Sequence, residues 1–203
     1  MLKLKKTPPW QQDWKDLTYL LDGTATQQAA YSALDSLQMA SLLQRFDPIL
    51  VGTIPLDIDI PGSDLDIVCC TANVDDFAQF LFETFSHYQN FELRRKRVGG
   101  VESAIATFTH QDFPIELFGQ PRPTLSQAAV RHLDVEARLL HYSSEKVRQQ
   151  MRQLKSQGFK TEPAFAIAFS LIGDSYQALL DLSDQPDEVL ISIISASKLN
   201  MEN

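Results

Sequence analysis

The chain has 203 residues, 44% hydrophobic and 22% charged, a balance that supplies a globular core and excludes disordered and fibrous classes. A net charge of −8, from 18 Lys and Arg against 26 Asp and Glu, predicts no non-specific nucleic-acid binding, because coating phosphates needs a positive surface. Two adjacent cysteines, Cys69 and Cys70, form neither a disulfide framework nor a metal spacing. With no apolar run longer than residues 165–172, they predict a reduced, cytoplasmic protein that does not cross a membrane.

Residues 1–6 are basic but lead into Thr7-Pro8-Pro9 rather than an apolar signal region. Trp10, Trp14, Leu17 and Leu21 recur at helical spacing, with Gly23 as the stop, and a second helix is expected over residues 26–46, ended by Asp47-Pro48. Residues 49–54 read as a short buried strand and 55–63 as a loop turning at Pro61-Gly62. A second strand is expected over 64–70. Residues 74–88 fit an amphipathic helix with Phe77, Phe80, Leu81, Phe82 and Phe85 toward the core. Strands over 91–98 and 101–110 are joined by Gly99-Gly100, a hairpin signal, and a strand over 113–118 follows. From Thr124 the pattern is helical, with breaks at Gly158, Pro163 and Gly173-Asp174. The order predicts an α+β fold: a mixed β-sheet with flanking helices over residues 1–122 and a C-terminal helical region over 123–203.

The chemistry concentrates between residues 51 and 68. Asp64 and Asp66 alternate with Leu65 and Ile67, so on a strand both carboxylates project from one face while the apolar residues are buried. Two acids about 7 Å apart along a strand repel unless a hard cation such as Mg²⁺ lies between them. Glu116, between Ile115 and Leu117, would complete a three-carboxylate cluster if its strand lies beside that of Asp66. Upstream, Gly52 allows close approach of a ligand to the backbone, and Thr53 supplies a hydroxyl for phosphate oxygens. The alternative is equally concrete: Asp64 and Asp66 as turn and edge acids, and Glu116 as a solvated strand residue.

Gly52-Thr53, ten residues and then Asp64-Leu65-Asp66-Ile67, with a later acid at Glu116, resembles the nucleotidyltransferase superfamily that includes DNA polymerase beta. The resemblance covers roughly residues 26–120. The whole chain, including residues 160–166, also resembles a bacterial domain of unknown function, the 4269 family. The superfamily resemblance implies two Mg²⁺ ions, with Mn²⁺ as a substitute, held by Asp64, Asp66 and Glu116 as catalytic metal ligands. It also implies a nucleoside triphosphate contacted by Gly52, Thr53 and Ser63. The reaction implied is transfer of a nucleoside monophosphate to an acceptor hydroxyl on a small molecule, RNA or protein. Thr53 departs from the usual Gly or Ser, and Asp57 and Asp59 place negative charge in a loop that commonly carries basic or small residues. Those acids favour the alternative of a catalytically inactive nucleotide- or protein-binding module that retains the fold.

The remaining candidates have plainer readings. Arg94, Arg95, Lys96 and Arg97 form a solvated hairpin strand of which at most two side chains can line one site. Arg131-His132 is a helix-packed pair, Lys160 and Glu162 mark a helix entry before Pro163, and Phe159, Phe165 and Phe169 are core.

Overall fold

The computed structural model describes residues 13–197. Trp10, the first residue of the expected N-terminal helix, lies outside them. The part of that helix that is described is a 3₁₀ turn, Leu17–Asp22, with the Asp16 carboxylate accepting from the Thr18 N–H and Gly23 closing it. The second expected helix is broken. It runs as α1 (Ala25–Ser36), then α2 (Met39–Leu43) and a 3₁₀ turn (Gln44–Phe46), with Gln38 left-handed between them at φ 52°. An unbroken helix advances about 100° per residue, so Leu37 and Met39 would point away from each other. The left-handed residue lets both enter the core, where each is buried.

Five strands follow: β1 (Ile49–Val51), β2 (Leu65–Cys70), β3 (Gln89–Val98), β4 (Val101–His110) and β5 (Phe113–Gln120), with α3 (Val74–Phe85) between β2 and β3. The sheet order is β1-β2-β5-β4-β3, antiparallel throughout except for the parallel pair β2–β5, so the mixed sheet expected from the sequence is present. Gly99 and Gly100 both have positive φ, as a two-residue hairpin turn requires. One sheet face carries Leu65, Ile67, Ile115, Leu117, Ala104, Ala106 and Phe108. These join Phe77, Leu81 and Phe85 of α3 and Ala30, Ala33 and Leu34 of α1 in a single cluster. Phe82 was expected on that side but is exposed, packing edge-on against Phe91 of β3. The same helix ends at Phe85, three residues before Tyr88.

Residues 14–130 form one compact unit, and residues 131–197 belong to a second. Helix α4 (Ala128–Tyr142) begins in the first unit and continues into the second, followed by α5 (Glu145–Ser156), α6 (Thr161–Phe169), α7 (Ser175–Ser183) and α8 (Asp187–Ala196). Gly158 follows α5 with φ 93°, and Asp174 caps α7 by accepting from the Gln177 N–H. Pro163 does not break the chain: it sits in the first turn of α6, where an amide hydrogen has no helical partner to lose. In this unit Phe165 and Phe169 are core, whereas Phe159, one residue beyond the Gly158 turn, is substantially exposed.

Candidate functional site

Strand β1 stops after three residues because Gly52 adopts φ 89°, a conformation that side chains resist. Its bare α-carbon is also needed for space, since a Cβ there would come within 3.1 Å of the Asp66 Oδ2. The chain then folds into a tight loop in which the Asp57 N–H donates to the Ile54 carbonyl and the Ile58 N–H to the Thr53 carbonyl. Ile54, Leu56 and Ile58 are buried, while Asp57 before Ile58 and Asp59 after it are half-exposed. The alternation explains the unusual loop sequence: apolar side chains anchor the loop and the acids fall on its outer side.

At the far end of the loop the Thr53 hydroxyl donates to the Ser63 hydroxyl at 3.3 Å, and Ser63 Oγ accepts from the Ile60 N–H at 3.0 Å. Thr53 and Ser63, ten residues apart, are thereby pinned together. A buried side chain from α1 supports the loop from behind. Gln27 donates its side-chain amide to the Ile54 carbonyl at 2.8 Å and the Pro55 carbonyl at 3.4 Å. Its Oε1 meanwhile accepts from the Thr24 N–H, and its own N–H bonds the Thr24 hydroxyl, a capping box that fixes the amide. Gln27 was not among the residues expected from the sequence, although Thr24 followed at the third position by Gln27 is the pattern that signals such a cap.

The parallel pairing sets Asp66 directly beside Glu116. In-register neighbours on adjacent strands point to the same face, with the strands about 4.8 Å apart. Both carboxylates are half-exposed. The row continues across the sheet through Thr107 to Glu92. Asp64 immediately precedes β2 and is exposed. Gly52, Thr53, Ser63, Asp66 and Glu116 are thus gathered at one end of the β1–β2–β5 sheet, with Asp64 on the adjoining loop.

Among the described residues, no group of three or more His, Cys, Asp or Glu side chains is arranged as it stands to hold a metal ion. Glu116 Oε2 accepts from the Arg94 Nη2 at 2.8 Å. By donor type the acids suit a hard divalent cation, since adjacent carboxylate oxygens are the ligands Mg²⁺ and Mn²⁺ prefer.

The rest of the basic strand behaves as a solvated hairpin. Arg95 pairs with Asp75, and Arg97 with Glu102 at 3.5 Å, all largely exposed. Arg131 and His132 are likewise structural within the helical unit. Arg131 donates to the Leu180 carbonyl and Ser183 hydroxyl, and His132 lies 3.0 Å from the Tyr176 carbonyl and 3.4 Å from Glu162. Cys69 is buried, and burial, reinforced by Asp47 and Cys70, pushes its thiol well above the usual range, so it serves as packing. No helix among the described residues is long and apolar enough to cross a membrane.

Among solved structures, the fold is similar to Cid1, an RNA terminal uridylyl transferase, with a TM-score of 0.53 and 12% identity over 77% of this chain and 52% of that one. A second structure, of the Cid1 poly(U) polymerase, gives a TM-score of 0.52 and 12% identity over 79% of this chain and 56% of the other. The chain therefore spans about half the length of these proteins, and the likeness is one of fold. No curated protein matches the sequence. Residues 32–182 match the family model described as a domain of unknown function, DUF4269. That match covers most of the chain, so the protein belongs to the DUF4269 family and has the nucleotidyltransferase fold expected from the spacing of Gly52, Asp64 and Asp66.

Proposed function

We propose that the protein transfers a nucleoside monophosphate from a nucleoside triphosphate to an acceptor hydroxyl, with Mg²⁺ or Mn²⁺ held by Asp64, Asp66 and Glu116. The observation that carries this reading is the register of β2 and β5, which sets Asp66 beside Glu116 at the strand end where Gly52 turns away. Gly52 and the half-exposed Ser63 are read as the phosphate contacts, with the buried Thr53 bonding the Ser63 hydroxyl from behind. In the step itself the acceptor hydroxyl gives up its proton to water, its oxygen forms a bond to the α-phosphorus, the bond from the α-phosphorus to the bridging oxygen breaks, and pyrophosphate departs with the electron pair. A divalent cation bound at these acids would lower the acceptor's pKa and offset charge on the leaving group. The chain's own contribution is positional: Gln27 fixes the loop, and the sheet fixes the acids.

The acceptor is a small molecule, RNA or protein. An RNA end is the first to test, because the solved structures of this fold include an RNA terminal uridylyl transferase. The site is read as acting in the cytoplasm, in keeping with the unpaired cysteines. A second reading, a module that binds a nucleotide without turnover, is favoured by the Arg94 contact on Glu116 and by the acids at Asp57 and Asp59. Incubation with α-³²P-labelled triphosphates, Mg²⁺ or Mn²⁺, and lysate of the source cell separates the two. Label on an acceptor that disappears with Asp66→Asn supports transfer. Triphosphate binding without label under any nucleotide or metal supports the binding module, and absence of binding refutes both.

A further inference from the structure

We propose that Arg94 is a phosphate-binding residue of this site, held on Glu116 until a divalent cation takes that carboxylate and then turned to the anion. The proposal rests on reading the site as one for a nucleoside triphosphate. Four basic residues follow one another on β3, and strand alternation sends them to opposite faces. Arg94 stands opposite Ile105, which stands opposite Phe118, two residues along β5 from Glu116. Arg94 is therefore on the face of Asp66 and Glu116, and its side chain crosses β4 diagonally to reach the second acid.

The contact is a poor use of an arginine. A guanidinium can hold a carboxylate through two parallel bonds, yet here Nη2 alone donates, to one oxygen. Both side chains are open to water, Arg94 at 46% and Glu116 at 32%, so the pair is a weak one. A divalent cation offers Glu116 twice the charge, and the displaced fork has donors spaced for phosphate oxygens. The electrostatic need is clear as well. With Asp57, Asp59, Asp64, Asp66, Glu92 and Glu116 around this end of the sheet, a triphosphate arrives in a negative field, and a cation beside the acids reduces that repulsion. Strand alternation places Arg95 and Arg97 on the opposite face, where they pair with Asp75 and Glu102, so they do not serve this role.

Because one residue is asked to oppose the metal and favour the anion, its removal has effects of opposite sign. Calorimetric titration of the intact protein with Mn²⁺ alone, and with a non-hydrolysable triphosphate analogue in the presence of Mg²⁺, reads both. Arg94→Gln is expected to tighten Mn²⁺ binding about fivefold while weakening the analogue about tenfold, a change of roughly 1.4 kcal/mol. Arg94→Lys should retain much of the analogue affinity, and in an Glu116→Gln background Arg94→Gln should leave Mn²⁺ binding unchanged. Equal weakening of both ligands, or no change in the analogue, overturns the proposal while leaving the triphosphate reading intact. A wild-type protein that binds neither Mn²⁺ nor analogue overturns both together.

Discussion

Among the described residues, the carboxylates at the sheet end and those of the helical unit are treated oppositely. At the sheet end, Asp66 and Glu116 are side by side, half-exposed, and arranged to repel. In the helical unit, Glu136 is almost wholly buried, and burial, with Glu162 nearby and Lys155 opposing, pushes its carboxyl well above the usual range. Its Oε1 has no hydrogen-bond partner, which a neutral acid tolerates far better than a charged one. Asp187 in the same unit stays charged. Burial pushes it up, but hydrogen bonds from Tyr142 and Arg138 outweigh that and hold it below the usual range. Glu136 and Asp187 of the helical unit are thus either neutralised by burial or held by Tyr142 and Arg138, whereas the pair at the sheet end stays half-exposed, with Glu116 meeting Arg94 in a contact open to water.

The sharpest way to break that contrast is at the sheet end. Asp66→Asn is expected to lower label transfer by about a thousandfold or more, as loss of a metal-bearing charge does. Mn²⁺ is expected to raise the Tm of the wild type, and Asp66→Asn should abolish that rise while the metal-free variant stays folded in a thermal melt. Next comes Arg138, nearly buried, which bonds Asp187 and the carbonyls of Ser183 and Gln185. Arg138→Ala strands those acceptors and should cost about 3 kcal/mol in urea unfolding, with no specific effect on triphosphate affinity.

A smaller effect is expected at Glu136. Its folded carboxyl keeps its proton to higher pH than the unfolded one, so the folded chain binds more protons as pH rises past about 4.5. Glu136 therefore contributes its full stability below that pH and loses it above. Glu136→Gln, neutral at every pH, should gain about 1 kcal/mol on the wild type at pH 8 and almost nothing at pH 4.5, read from urea midpoints. The smallest belongs to Asp134, whose carboxyl burial pushes up, Arg138 lowers and Asp187 raises. It lies 3.8 Å from Arg138 with its side chain 38% exposed, so Asp134→Asn should change stability by less than about 0.5 kcal/mol.

The strands, the hairpin at Gly99-Gly100 and the end-on grouping of Gly52, Ser63 and Asp66 were legible because each is written in a short stretch: alternation, a turn pair, a spacing. What was not legible depends on neighbours distant in sequence. The helix over 26–46 has an unbroken apolar pattern, and only a core that takes both Leu37 and Met39 makes Gln38 left-handed. Phe82 looks like its neighbours on α3, and only the placement of β3 leaves it exposed beside Phe91. The capping box of Thr24 and Gln27 is local, but the bond from Gln27 to Ile54 exists only because α1 packs behind the loop. The Arg94–Glu116 contact requires the order β5-β4-β3, which no local pattern contains.

Parallel pairing of β2 and β5 has a consequence for how the protein comes into being. Asp66 and Glu116 are fifty positions apart, and α3, β3 and β4 all lie between them in sequence. Hairpins and helices form from near neighbours in microseconds, but this junction must wait for a long loop to close. A nascent chain that has released only its first hundred residues cannot own the acid pair, whatever helices it has made. Competence to bind at this end of the sheet is thus a late event, arriving with the central strand that completes the sheet.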